Sequence, residues 1–255
     1  MNTLDPTQRF SDRAEAYARF RPGYPPELLA WLYRGQGIDI SMEVADIGAG
    51  TGISTRMFLD AGHRVVAVEP NASMRAVMER TLAATRAFSC TAGCAEATVL
   101  SGASVDLISV AEAFHWFDPQ ATHREFARIL RPHGLVAVYW NAHASTDSAF
   151  LDGYEQLLRR YGTDYAHVAE RYADDATMQA WFGPGFRGQA SFAHRQKFDY
   201  QGLQGRLLSC SYVPGPEHPQ FTEMLDALHK LFDNTAQQGR VDFKYHTRLF
   251  VGAIA

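Results

Sequence analysis

The chain has 255 residues, of which 46% are apolar and 20% are charged, as in an ordinary globular protein. A net charge of −4 without a long basic run argues against a nucleic-acid surface, and the apolar runs are too short to predict a membrane span. Residues 1–20 lack the apolar core of a secretion signal. We therefore expect a cytoplasmic protein with no nucleic-acid or membrane partner.

The three cysteines, Cys90, Cys94 and Cys210, form no repeated pair. No histidine-rich box accompanies them, so the spacing does not support a zinc site. We expect reduced thiols and no bound metal.

The first half alternates strand patterns with helix patterns. Strands are predicted at residues 43–48, 64–69, 87–92, 105–110 and 135–140. Helices are predicted at 53–61, then after an Asn71 cap, and from Asp118 or Pro119 to a stop at Pro132. Repeated strand–helix–strand units with nearly continuous apolar strands predict a Rossmann-like α/β fold, with a doubly wound, mostly parallel seven-stranded sheet covered by helices on both faces.

The second half has a different pattern. Helices are predicted at residues 148–161, 174–182, 201–209 and 219–238, and strands at 186–198 and 241–254. We predict one domain over residues 1–255. Its parts are N-terminal lid helices (1–40), a cofactor-binding core (41–141), a helical acceptor-side insertion after strand five (142–185) and C-terminal strands and helices (186–255).

A glycine-rich loop, Gly48-Ala49-Gly50-Thr51-Gly52, joins the first strand to the following helix. Glycines allow close approach to a ligand, and the helix N-terminus favours an anionic group. Glu69, at the end of the second strand, can accept both hydroxyls of a ribose. The loop, its two flanking elements and the carboxylate together predict a site for an adenosine-containing cofactor.

Dinucleotides and S-adenosylmethionine both fit these features. Asp46, at the end of the first strand, suits the α-ammonium of a methionine moiety and would repel a pyrophosphate. This contrast favours S-adenosylmethionine.

The sequence around this loop resembles that of the class I S-adenosylmethionine-dependent methyltransferases, small-molecule type, in the subgroup that includes trans-aconitate methyltransferase. Residues 44–52 resemble the first motif, 64–70 the second and 93–96 the turn against the adenine. Residues 105–109 and 112–117 resemble the fourth strand and its loop, and 130–134 the turn into strand five, where a second glycine often replaces His133. Residues 10–14, Tyr17 and 21–25 resemble the N-terminal lid, and 208–214 a segment of bacterial relatives.

The resemblance implies a cofactor site. Its expected members are Tyr17, Arg21, Asp46, Gly48, Ala49, Gly50, Glu69, Pro70, Met74, Cys94, Ala95, Glu96, Val110 and Ala111. Arg21 and Tyr17 would close over the amino-acid end, and Asp46 would orient the amino group.

The acceptor side is less specific, because a carboxylate acceptor needs no base whereas a phenol, alcohol or protonated amine generally does. His115 is the candidate catalytic base or substrate donor, but it could instead only fix its loop. Tyr24, Trp116 and Asn141 are candidate substrate-binding residues. A core or wall role is the more common one for a residue such as Trp116, and a helix-capping or turn role fits Asn141 equally well. Tyr154, Leu157, Tyr161 and Tyr165 are candidates for an aromatic lid.

The sequence therefore predicts a methyltransferase that acts on a small molecule at oxygen, nitrogen or carbon, as a monomer or homodimer. A protein that binds the cofactor without methylating remains open, since direct transfer needs no catalytic side chain. An NAD-dependent oxidoreductase is a weaker alternative, which Asp46 disfavours.

Overall fold

The computed structural model describes residues 10–143, 148–169 and 173–254. The helices are α1 Ala14–Phe20, α2 Pro26–Gln36, α3 Ile53–Asp60, α4 Ala72–Leu82, α5 Pro119–Ile129, α6 Ala149–Tyr161, α7 Tyr165–Ala169, α8 Asp175–Phe182, α9 Tyr200–Leu208 and α10 Phe221–Thr235. The strands are β1 Glu43–Ile47, β2 Arg64–Val68, β3 Phe88–Thr91, β4 Val105–Ala111, β5 Leu130–His143, β6 Phe186–Phe198 and β7 Val241–Gly252.

The seven strands form one sheet in the order β3-β2-β1-β4-β5-β7-β6. The first five strands are parallel, and β7 runs antiparallel to both β5 and β6. Buried clusters cover both faces. The predicted doubly wound, mostly parallel seven-stranded sheet is confirmed.

Local signals placed most element ends correctly. The Asn71 side chain accepts a hydrogen bond from the Met74 amide at 3.0 Å, as expected of the cap of α4. Asp118 caps α5, in which Pro119 is the first residue. β5 begins at Leu130 rather than at the predicted residue 135, and α5 accordingly ends before Pro132.

The turn into β5 has an unusual backbone conformation. His133 has a φ of +70°, in the left-handed region that favours glycine. A second glycine is common at this position in the family that the sequence resembles, and the left-handed backbone explains that preference.

The N-terminal helices pack against the segment that follows α9. Arg13 Nη2 donates to the Val213 carbonyl at 2.8 Å, and Arg21 Nη2 donates to the Ser209 carbonyl at 3.2 Å. A Cβ added at Gly205 would lie 2.3 Å from Phe20, so α1 and α9 approach closely because this position has no side chain. Two segments singled out in the sequence, 10–25 and 208–214, therefore meet in space.

Three helices, α6 to α8, lie between β5 and β6 in the chain. The apolar side of α6 packs into a separate buried cluster with residues of α9, α10 and β7. Residues 1–9 of the predicted lid and residues 144–147 and 170–172 of the predicted insertion lie outside the described residues.

Within the described ranges, no helix is long and apolar enough to span a membrane. The same ranges contain no cluster of three or more His, Cys, Asp or Glu residues able to hold a metal ion.

Candidate functional site

The glycine loop bends sharply at the end of β1. Gly48, Gly50 and Gly52 have φ angles of +69°, +57° and +86°, all in the region that side chains disfavour. A Cβ at Gly48 would lie 2.6 Å from Ala113 Cβ. The loop backbone therefore passes directly against the end of β4, and Gly48 is required both for its conformation and for space.

Asp46 is fully buried below this loop. Its carboxylate accepts hydrogen bonds from Ser54 and Thr55 of α3, both at 2.6 Å, and from Ser109 of β4 at 3.0 Å. Burial raises the pKa of this carboxyl, although the three hydroxyl donors oppose that shift. Asp46 therefore joins β1, α3 and β4, and it does not line the cavity described below.

Glu69 is also almost completely buried, at 6% exposure. One carboxylate oxygen accepts from the Gly50 amide and the other from the Asn71 amide, both at 2.8 Å. Burial raises its pKa, against the effect of these two amides. In this structure the expected ribose ligand thus connects β2 to the glycine loop.

A cavity of about 530 Å³ opens above the carboxyl ends of β1, β4 and β5. Residues from the glycine loop, α1, α6, α9 and β7 contribute to its wall. Ten of the predicted site residues line it: Tyr17, Arg21, Tyr24, Gly48, Ala49, Gly50, Ala111, His115, Trp116 and Asn141.

The other predicted site residues lie outside the cavity wall: Asp46, Glu69, Pro70, Met74, Cys94, Ala95, Glu96 and Val110. Met74 is buried in a cluster with Ala14 and Val77, against which Phe10 and Tyr17 pack. The N-terminal helix α1 thus covers the start of α4. The cavity accordingly comprises the expected methionine and acceptor regions, not the expected ribose and adenine region.

The acceptor side differs from expectation at Asn141. Its side-chain oxygen accepts from Thr247 at 2.6 Å and is 2.8 Å from His194 Nε2, while its amide nitrogen donates to the Gly23 carbonyl at 3.3 Å. Asn141 therefore links the loop before α2 to β5, β6 and β7. Asn141 lies within β5 rather than in a turn, and these contacts occupy its side chain.

Most residues of the predicted aromatic lid are packed in the protein interior and do not face the cavity. Tyr154, Leu157 and Tyr161 are buried on the apolar side of α6 and do not line the cavity. The opposite side of α6 reaches the cavity with Asp152, Glu155 and Arg159, and of the four candidates only Tyr165 lines it. Helical spacing alone could not show which side of α6 faces the ligand space.

Several cavity residues were not predicted: Glu112, His143, Arg206, Tyr212, Tyr245 and Arg248. Glu112 directly follows β4. Its backbone has a φ of +58°, a conformation that no pattern in the sequence predicts. Tyr212 lies in the segment that the sequence had singled out. The positions of Arg206 and Tyr245 depend on the antiparallel β7, so no local motif could have found them.

The cavity wall is strongly basic on one side. Burial, together with Arg206 and Arg21, lowers the pKa of His143 to about 3, so this imidazole is neutral at neutral pH. Burial alone would lower the pKa of Arg206, but neighbouring Tyr245 and Cys210 outweigh it and the pKa lies well above the ordinary value. Both guanidinium groups are therefore charged.

Comparison with known proteins agrees with this geometry. Residues 45–138 match the sequence profile of the family described as a methyltransferase domain. An uncharacterized methyltransferase of Mycobacterium tuberculosis is 40% identical over 137 residues, which cover 54% of this chain and 54% of that protein. The chain thus spans about half the length of the mycobacterial relatives it matches.

Two more distant matches extend over nearly the whole chain. An uncharacterized methyltransferase of Schizosaccharomyces pombe is 26% identical over 237 residues, covering 91% of each protein. The solved structure of a candidate type II methyltransferase from Anaeromyxobacter dehalogenans has a TM-score of 0.69 at 22% identity, covering 92% of this chain and 98% of that one. The latter likeness shows the fold.

The family profile begins at Ala45 in β1, includes the glycine loop and ends at Val138 in β5. The matched residues 45–138 are therefore the part of the chain that is similar to a methyltransferase domain.

Proposed function

We propose that the protein transfers a methyl group from S-adenosylmethionine to a small-molecule acceptor. The observation that carries this proposal is one cavity of about 530 Å³ whose wall contains both the glycine loop and the Phe114–Trp116 turn after β4. A donor and an acceptor bound there would share one enclosed space. Holding two reactants together in the correct orientation is itself a large part of the catalysis of such a transfer.

The residues present fit the cofactor. The three left-handed glycines leave the loop backbone open toward the cavity, and a Cβ at Gly50 would meet only Met74 Sδ, at 3.6 Å. Arg21 lines the same cavity, and its Nε is buried without a hydrogen-bond partner among the described residues. We assign the loop to the methionine portion and Arg21 to its carboxylate.

Glu112 is a better candidate for the cofactor's ammonium group than Asp46. Glu112 lines the cavity one residue before Ala113, which lies against Gly48, whereas Asp46 is fully buried and does not line the cavity. Glu69, Pro70, Met74, Cys94, Ala95, Glu96 and Val110 stay assigned to the ribose and adenine. Of these residues Met74 is covered by α1, so its use requires α1 to move away from α4.

When bound, S-adenosylmethionine supplies an electrophilic methyl carbon, to which the acceptor's lone pair bonds while the electrons of the broken carbon–sulfur bond pass to sulfur. The chain's residues line this space. His115 lines it beside Trp116, their rings 4.8 Å apart. We propose that His115 accepts the acceptor's proton or donates a hydrogen bond to it, and that Tyr24 and Trp116 form the wall.

The finer assignments belong to the same proposal. We place the chain in the subgroup of trans-aconitate methyltransferase and treat residues 142–185 as an acceptor-side insertion within a single domain, with α1 and α2 as the lid. We propose a cytoplasmic monomer or homodimer without nucleic-acid substrates.

Calorimetry with S-adenosylhomocysteine tests the donor site. We expect a dissociation constant in the micromolar range and no quench or enhancement of NADH fluorescence on titration. Absence of S-adenosylhomocysteine binding would contradict the proposal, and NADH binding would favour the oxidoreductase alternative. Tight cofactor binding without turnover over a broad acceptor panel would favour a protein that binds the cofactor without methylating.

His115→Gln tests the acceptor side. If His115 is a base, methylation of a phenol or amine should fall by about 10²–10⁴-fold, with S-adenosylhomocysteine affinity unchanged. The control is His167→Gln, at an exposed position in α7. Unchanged turnover in His115→Gln would mean that His115 only fixes its loop and takes no part in the transfer.

A further inference from the structure

Arg206 is a buried cation in the cavity wall. It is 2% exposed, and it projects from α9 against β7. Its Nε donates to Tyr245 Oη at 3.2 Å and its Nη1 to Cys210 Sγ at 3.1 Å, and the guanidinium lies 5.2 Å from the centre of the Phe243 ring. None of these neighbours is a carboxylate. Burial alone would raise the pKa of the Cys210 thiol, but Arg21 and Arg206 outweigh it and lower that pKa.

No carboxylate lies within ion-pair distance of Arg206 in the part of the chain that the structure describes. Two other cavity arginines differ. Arg159 pairs with Glu155 at 2.9 Å, and Arg248 pairs with Asp175. A buried charge without a counter-ion is costly, so an anion at Arg206 would be strongly favoured.

Arg21 is a second cavity arginine without an ion-pair partner among the described residues. It stacks on the Tyr17 ring at 4.9 Å, and each guanidinium repels the other. The Tyr154 hydroxyl, buried beside Arg206, also has no hydrogen-bond partner within the described ranges. This side of the cavity therefore carries two positive charges and an unused hydroxyl.

Of the three described acidic residues that line the cavity, two have partners within the chain. Glu155 accepts from Tyr165 and pairs with Arg159. Glu112 accepts from the Asn141 amide at 2.6 Å, near Tyr17 and Tyr24. Asp152 reaches the cavity from α6 and is in no ion pair within the described ranges.

The two arginines lie close enough to interact electrostatically, and Tyr245 holds Arg206 on the β7 side of the cavity. Tyr245, which holds Arg206, is on β7, and β4 and β5 lie between β7 and β1. Three strand spacings of about 4.8 Å place Tyr245 about 14 Å from the strand that carries the glycine loop. S-adenosylmethionine has one carboxylate, which Arg21 would bind, so the cofactor leaves Arg206 without an anion.

We propose that the acceptor is an organic acid whose carboxylate binds Arg206, distant from the atom that receives the methyl group. This inference rests on the proposed function. Tyr212 and Tyr245 would contact the hydrocarbon part of the acid, since both line the cavity. A carboxylate matches the single charge of Arg206, whereas a phosphate dianion would keep one negative charge uncompensated.

The test uses the protein saturated with S-adenosylhomocysteine, so that the cofactor's own anion site is filled. Calorimetry then compares three acid–amide pairs: acetate with acetamide, phenylacetate with phenylacetamide, and succinate with succinamide. We expect at least one acid to bind tenfold or more tightly than its amide. Equal affinities within all three pairs, or no binding of any acid, would overturn the proposal.

Arg206→Gln should reduce the acid–amide difference to less than twofold while S-adenosylhomocysteine affinity changes less than threefold. Arg160→Gln is the matched control, because Arg160 is exposed and pairs with Glu223 outside the cavity. An acid preference that survives Arg206→Gln would overturn the assignment. If that variant does not fold, the acid–amide comparison in the unmodified protein still decides.

Phenyl phosphate tests whether the anion that binds Arg206 is a phosphate ester or a carboxylate. Binding tighter than that of phenylacetate would overturn the carboxylate assignment in favour of a phosphate ester. Failure of S-adenosylhomocysteine to bind at all would instead contradict the proposed function, which separates the two failures.

Discussion

The Glu69 carboxylate accepts a hydrogen bond from the Gly50 amide at 2.8 Å, which ties the end of β2 to the middle of the glycine loop. Its other oxygen accepts from the Asn71 amide, next to the cap of α4. The same carboxylate is thus the proposed ribose ligand and a brace for the loop that we propose holds the methionine portion. We therefore expect cofactor binding and loop conformation to be coupled through this side chain.

Glu69→Gln should weaken S-adenosylhomocysteine binding about tenfold or more. The glutamine side chain has an NH2 group in place of one carboxylate oxygen, so this donor would point at a backbone N–H that needs an acceptor. Leaving a buried donor unpaired should also cost about 1–3 kcal/mol of folding free energy. Calorimetry and urea unfolding measure the two effects. Glu79→Gln, at an exposed position of α4, is the control, and equal behaviour of the two variants would contradict the role of Glu69.

Asp46→Ala should act mainly by reducing the free energy of unfolding and less by removing a direct contact to the ligand. The substitution leaves three buried hydroxyls without their acceptor, which should cost about 2–4 kcal/mol by urea unfolding. Ser109→Ala, which removes one of the three donors, should cost less. Normal stability of Asp46→Ala together with lost cofactor affinity would restore the direct contact first expected from the sequence.

Gly48→Ala should destabilise the protein by clash as well as by backbone strain. Gly37 has nearly the same φ, +71°, but a Cβ there would meet nothing within 4 Å, so Gly37→Ala measures the strain alone, about 1–2 kcal/mol. We expect Gly48→Ala to cost more than Gly37→Ala, because its Cβ would meet Ala113. Equal unfolding free energies would mean that the loop can move away from β4 freely.

Acidification should destabilise the fold through His143. Its folded pKa of about 3 is below the unfolded value of about 6.5, so between these values the unfolded chain binds a proton that the folded chain does not. Stability from this residue is therefore complete above pH 6.5 and falls by up to about 1.4 kcal/mol per pH unit below it.

His143→Gln should remove that slope. Urea unfolding at pH 5.5 and pH 7.5 measures it, and His167→Gln should keep it. Half-buried His194, whose pKa burial also lowers, acts in the same direction, so the difference between unmodified protein and His143→Gln isolates His143. An identical slope in both would contradict the prediction.

His133→Gly should stabilise the protein by about 0.5–1 kcal/mol, since glycine adopts a φ of +70° without strain. His133 is exposed, so few contacts are lost. Thermal melting would show a small increase in Tm, and a decrease would mean that the imidazole makes a stabilising contact larger than the strain.

The sequence predicted the sheet, the ends of most elements and the glycine loop. These features depend on neighbours two to four positions apart, on caps such as Asn71 and on the backbone freedom of glycine. The sequence could not predict that three hydroxyls from two other elements surround Asp46, since Ser109 reaches it only after β1 and β4 pair.

The acceptor side depends on contacts between distant parts of the chain. Arg21 and Ser209 are 188 positions apart, and Arg206 reaches the cavity because antiparallel β7 places Tyr245 opposite His143 of β5. The sequence by itself thus determined the fold and the cofactor, because local patterns encode both. Only the tertiary structure decided which side chains surround the acceptor, because burial and charge pairing depend on packing across the whole chain.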